Sequence, residues 1–146
     1  MSHAENSIVI NRPINVVFDF VLDGENGPRW RDSILDIKRM SDKPLGVGSA
    51  FKQGLKGPGG RRIEGDYEIV ECKPNEWIKF QVTAGPARPT GTYHFEKADG
   101  GTRVTFTLHY DPKGFAVLMG PMITSNMKEE VATLSRLKSY LESQNP

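Results

Sequence analysis

The segment FAVLMGPMITSNMKEEVATLSRLKSYL, residues 115–141, decides how the rest of the chain is read. Apolar residues recur at Ile123, Met127, Leu134, Leu137 and Leu141, with Met119 and Met122 just upstream. Steps of three, four and seven gather them on one face of a helix with 3.6 residues per turn. A continuous helix of about 27 residues would run roughly 40 Å, long for a chain of this size. Gly120-Pro121 interrupts it, because proline removes a hydrogen bond and clashes with the preceding turn. A kink or break is therefore expected there, leaving 115–120 as a looser segment; a plain fixed kink is the first reading and a lid hinge the second.

Upstream of this helix the pattern changes to strands. Ser7 to Asn11 is short and β-branched, a first strand, and Pro13 then suits the first turn of a helix that carries Val17, Phe20 and Val21 on one face. Asn26 to Trp30 reads as a loop or a single helical turn. Ile34 to Met40 is the second strand. An antiparallel meander follows at 49–56, 61–72, 77–83, 91–97 and 102–110, punctuated by GPGG, KPN and DGG turns. Seven strands and one dominant helix make an α+β domain spanning residues 1–146, with the helix laid across a curved sheet.

Strand parity decides which side chains face the helix. The inward sets are Phe51, Gln53 and Leu55; Ile63, Tyr67 and Ile69; Ile78, Phe80 and Val82; Tyr93 and Phe95; and Val104, Phe106, Leu108 and Tyr110. Tyrosine hydroxyls and a glutamine amide on a buried face need hydrogen-bond partners. On the helix, Glu130 falls in the middle of the apolar stripe and Asn126 lies one turn earlier. A carboxylate there is either paired with Arg or Lys at the rim or faces a wet cavity. Trp30 stands as core or cavity wall.

Several functions are disfavoured by composition. The charges nearly cancel, 19 basic against 18 acidic, with no concentrated basic run for nucleic acid. Lys52, Lys56, Arg61 and Arg62 cluster around one hairpin and read as a solvated edge. His94 and His109 fall on the outward parity and His3 in an N-terminal tail, so neither a metal site nor a Ser-His-Asp constellation is expected. The glycine turns match no phosphate-binding pattern. The single Cys72 excludes an internal disulfide and fits a reducing cytoplasm. MSHAENS lacks the pattern of a signal peptide, and no apolar run is long enough for a membrane span. The expectation is a cytoplasmic monomer or weak homodimer without metal, cofactor, nucleic-acid partner or membrane insertion.

SIVINRPINVVFDFVLDGENGPRW, residues 7–30, resembles the opening of polyketide cyclase/dehydrase-like (SRPBCC) proteins of the START-domain superfamily. The matching positions are Pro13, Val17, Phe20, Asp23, Asn26 and Trp30. GVGS at 46–49, GGTRVTFTLHY at 100–110 and LSRLKSYLE at 134–142 follow the family's rhythm, so the likeness spans nearly the whole chain. It implies a helix-grip fold, a curved seven-stranded antiparallel sheet wrapped around the C-terminal helix with an enclosed hydrophobic cavity. It also implies ligands such as lipids, sterols, polyketides or hormone-like molecules, and cyclisation or hydrolysis in a minority of members.

Three functions remain open at this level. The first is binding or carrying a small hydrophobic or aromatic molecule in an internal cavity. Its expected ligand-binding residues are Trp30, Phe51, Gln53, Ile63, Tyr67, Phe80, Tyr93, Phe106, Leu108, Met119, Met122, Ile123, Asn126, Met127 and Glu130. The second is a cyclase or dehydratase on a polyketide-like substrate. Tyr67 and Tyr93 would stabilise an enolate and Glu130 would move the proton. The third is a non-catalytic protein-interaction module with a filled core.

Overall fold

A computed structural model describes residues 2–85, 87–111 and 120–144. The elements run β1 (Ser2–Ile10), α1 (Ile14–Leu22), a 3₁₀ segment (Gly24–Arg29), β2 (Ile34–Arg39), β3 (Ala50–Lys56), β4 (Arg62–Glu64), β5 (Tyr67–Lys73), β6 (Trp77–Val82), β7 (Thr90–Ala98), β8 (Gly101–Tyr110), α2 (Gly120–Ala132) and α3 (Leu134–Ser143). All strand pairs are antiparallel, in the order β1-β8-β7-β6-β5-β3-β2, with the short β4 added beside β3. This is the seven-stranded curved sheet and C-terminal helix of a helix-grip fold.

Turn chemistry sets the hairpins. Between β7 and β8, Asp99 and Gly100 both have positive φ, the conformation whose twist matches flanking antiparallel strands. The expected strand at 61–72 is broken at Gly65-Asp66, yet its inward parity is kept. At the break an Asp66 carboxylate oxygen replaces a backbone acceptor and takes the Gln53 N–H at 3.0 Å.

Two other expectations are corrected. The N-terminal tail is strand: β1 begins at Ser2, and nine residues pair with β8 from Ser2–Tyr110 to Ile10–Thr102. Its polar sequence carries no strand signal because long-range ladder bonds hold it in place. The single long helix is two helices, interrupted at Thr133. The Thr133 hydroxyl and N–H both donate to the Glu130 carbonyl three residues back, which tightens the turn there. The expected kink at Gly120-Pro121 and the looser segment before it depend on residues 112–119, outside the described residues; α2 is described from Gly120 onward.

This break divides the interior. Leu134, Leu137 and Leu141 of α3 are buried in a solid core with Ile10, Val17, Phe18, Phe95 and Val104, where the Phe18 and Phe95 rings meet edge to face at 5.2 Å. The α2 half joins this core through Met127 and Val131, and its Ile123, Asn126, Met127 and Glu130 also border an open space.

Candidate functional site

Between α2 and the sheet lies a cavity of about 250 Å³, lined by residues of α1, the 3₁₀ segment, β3 to β8 and α2. Its floor is apolar: Ile69, Ile78, Phe80, Phe106, Leu108, Ile123 and Met127. An aromatic series continues through it. Tyr93 stacks on Phe106 at 4.3 Å, Phe80 lies 5.8 Å from Tyr93, Tyr67 is 5.3 Å from Phe80, and Trp30 meets Tyr93 at 6.3 Å. Exposed Asp32, Lys56, Glu64, Asn126 and Glu129 also line it and mark where it opens to solvent.

Polar groups converge on one side. The Arg31 side chain, 12% exposed, pairs through Nε with Glu130 on α2. Ser33 donates to Glu130 Oε2 at 2.9 Å and more weakly to Oε1 at 3.3 Å. Burial opposes the Arg31 charge. Glu130 nevertheless holds the guanidinium above its ordinary range, helped by the neighbouring Tyr93 and Tyr67 phenols. Burial pushes the Tyr67 phenol up to about 12, with the Arg31 charge pulling the other way. Tyr93 is raised for the same reason, against the same pull, so both phenols are neutral donors at physiological pH. The Arg31 terminal nitrogens and both tyrosine hydroxyls have no hydrogen-bond partner among the described residues.

Glycines make room for this cluster. A Cβ on Gly24 would stand 2.0 Å from the Tyr67 hydroxyl, and one on Gly91 would stand 2.1 Å from the Phe80 ring. A side chain at either position would displace a wall of the cavity.

Most residues singled out from the sequence come together here: Trp30, Gln53, Ile63, Tyr67, Phe80, Tyr93, Phe106, Leu108, Ile123, Asn126, Met127 and Glu130 all line the cavity. Phe51 does not. It is buried behind Tyr67, stacked on that ring at 5.0 Å, and backs the wall instead of forming it. Met122 is 40% exposed and off the lining, because α2 turns that position toward solvent. Tyr110 is half-buried at the end of β8, also off the lining. Met119 lies outside the described residues. Strand and helix periodicity missed Arg31 and Ser33, which follow the 3₁₀ segment, where neither period applies. The only signal was the uncompensated Glu130 in an apolar stripe, which asked for a cation without naming it.

The sequence profile of the family described as polyketide cyclase / dehydrase and lipid transport matches residues 1–142. The chain belongs to this family. One curated relative is an uncharacterized 17.2 kDa protein of Streptomyces lincolnensis, 22% identical over 97% of this chain and 91% of that protein. Among solved structures, a protein from Thermus thermophilus superposes with a TM-score of 0.79 at 20% identity, covering 97% of this chain and 99% of its own. A START superfamily protein from Mycobacterium smegmatis gives 0.77 at 13% identity, covering 97% and 98%. The di-domain ARO/CYC StfQ of the steffimycin biosynthetic pathway gives 0.76 at 14% identity, covering 96% of this chain and 50% of its own. These likenesses establish the fold of this family member. The family's description spans both ligand carriage and cyclisation. Among the described residues no cluster of His, Cys, Asp or Glu is arranged to hold a metal, and no helix is long and apolar enough to cross a membrane.

Proposed function

We propose that the protein binds a small apolar or aromatic molecule in this cavity, with an oxygen of the ligand directed to Arg31, Tyr67 and Tyr93. The observation that carries this reading is the pairing of an aromatic-walled cavity of about 250 Å³ with donors that have no partner among the described residues. Small-molecule sites are generally apolar with a few placed polar groups. The volume lies just below the usual range of roughly 300–1,000 Å³, which suits one or two fused rings better than a sterol or a long acyl chain. Native mass spectrometry of the purified protein, followed by denaturation and extraction, tests it. An adduct released on denaturing, carrying an aromatic or alicyclic body and an oxygen function, is the expected result. If neither that nor titration with bicyclic aromatics gives a complex, the reading fails.

Catalysis is the second reading, favoured by the convergence of three donors that would stabilise a developing enolate oxygen. Glu130 is poorly disposed as the proton carrier, since both its oxygens already accept from Arg31 or Ser33. Turnover retained in Glu130→Gln would end the version in which that carboxylate moves the proton. The interaction-module reading depended on a filled interior, and the cavity gives it no support.

A further inference from the structure

Position 53 lies on the inward face of β3 between Phe51 and Leu55, where an apolar side chain would pack without any polar group to satisfy. Gln53 stands there instead, 2% exposed and on the lining of the cavity. Its orientation is fixed from three sides. The amide Nε2 donates to the Gly65 carbonyl at 3.0 Å, the backbone N–H donates to Asp66 Oδ1, and the backbone carbonyl accepts from the Gly65 N–H at 2.9 Å. With Nε2 so committed, the other amide atom is the carbonyl oxygen. That Oε1 is buried and has no donor among the described residues.

A buried acceptor without a partner forfeits its hydration and gains nothing in return. The other buried polar side chains of the wall differ in kind. Arg31 can only donate, and the tyrosine hydroxyls can donate or accept. The Glu130 oxygens are already occupied by Arg31 and Ser33. Among the described residues, Gln53 Oε1 is therefore the one buried side-chain atom of the wall that can only accept and is unused.

Resting on the ligand-binding reading above, we propose that Gln53 is a specificity-determining residue: its Oε1 accepts a hydrogen bond from an O–H or N–H group of the ligand. The cavity thus selects a bifunctional aromatic, with an acceptor oxygen at Arg31 and the tyrosines and a donor at Gln53. A ligand with acceptors alone leaves Oε1 buried and unpaired, and a site built to bond a substrate O–H discriminates strongly against the analogue lacking it.

Two probe pairs test this by calorimetric titration of the wild-type protein and of Gln53→Leu. One pair is 2-naphthol and 2-methoxynaphthalene; the other is indole and 1-methylindole. Each pair keeps the ring system and caps the donor. In the wild type at least one donor probe binds about tenfold more tightly than its capped partner, as one net hydrogen bond implies. A preference in the first pair alone assigns a hydroxyl, and one in the second assigns an N–H group. In Gln53→Leu the ratio collapses to about one, while the capped probes keep their affinity within a few-fold. Equal affinities within both pairs in the wild type, or a preference that survives in Gln53→Leu, overturn the role of Gln53 and leave the cavity reading standing. If no probe of either pair binds the wild type, the role of Gln53 falls; the cavity reading falls with it only when native mass spectrometry also gives no released adduct. Should circular dichroism show Gln53→Leu unfolded, Gln53→Met replaces it, and the wild-type ratios decide independently of any variant.

Discussion

Arg31 and Glu130 stand 99 residues apart in sequence and meet on the wall of the cavity, their side chains 12% and 19% exposed. An ion pair this shielded is worth little as a pair but is costly to break, since the surviving charge is left without a partner. Glu130→Leu alone is expected to cost about 3 kcal/mol in urea unfolding, whereas Arg31→Met with Glu130→Leu costs clearly less than the two single changes summed. Additive losses would show that the two groups are not coupled. The same neighbourhood predicts an alkaline limit. Tyr67 is pushed up to about 12 from 10.0, chiefly by burial. A folded value above the unfolded one means its contribution is intact below about pH 10 and is lost as pH climbs toward 12. Two units correspond to roughly 2–3 kcal/mol. The urea midpoint should therefore fall over that window, and Tyr67→Phe should fall less steeply. The site was half legible from sequence for a physical reason. Alternation along strands delivered Gln53, Ile63, Tyr67, Phe80, Tyr93, Phe106 and Leu108, because a pleat fixes direction. Arg31 and Ser33 follow an irregular segment, where direction is set by contacts with α2 that no local pattern encodes.

At the scale of the element, the sheet makes its concavity by leaving side chains out. Gly91 on β7 pairs with Phe80 on β6, and the Phe80 ring lies over the bare glycine. Gly91→Ala drives a methyl into that ring, so Phe80 must swing toward the cavity. Overpacking of this kind costs about 1–3 kcal/mol. Thermal unfolding should report the loss, and the affinity for 2-naphthol should drop in the same variant; unchanged affinity would mean that Phe80 does not bound the binding volume. The helical elements show what periodicity can and cannot deliver. Met127, Leu134, Leu137 and Leu141 are buried as spacing required. The break at Thr133 was hidden because a threonine keeps the stripe in phase while its hydroxyl reshapes the backbone. On either side of it α3 packs into the core, while α2 both joins that core through Met127 and Val131 and roofs the cavity.

For the whole molecule, the order of strands and the dominance of the C-terminal helix were legible, because hairpins are local and turn residues announce them. The start of β1 was not, since its first residues gain their strand character from β8 a hundred positions later. The closure of the structure depends on such distant meetings. Asn6 donates to the Val131 carbonyl, the Asn11 N–H to Glu142, the Arg12 guanidinium to the carbonyls of Glu142 and Gln144, and Lys138 to the Val9 carbonyl. These bonds join segments separated by 125 to 132 residues. On the ribosome, β1 emerges ahead of the other elements of this fold and waits through the synthesis of nearly the entire sheet before β8, and then α3, can engage it. Local hairpins are able to form during translation, whereas the roofed cavity cannot exist until α2 has cleared the exit tunnel. Until that moment a nascent chain carries the aromatic lining of the cavity open to solvent, the kind of surface through which unfinished chains associate.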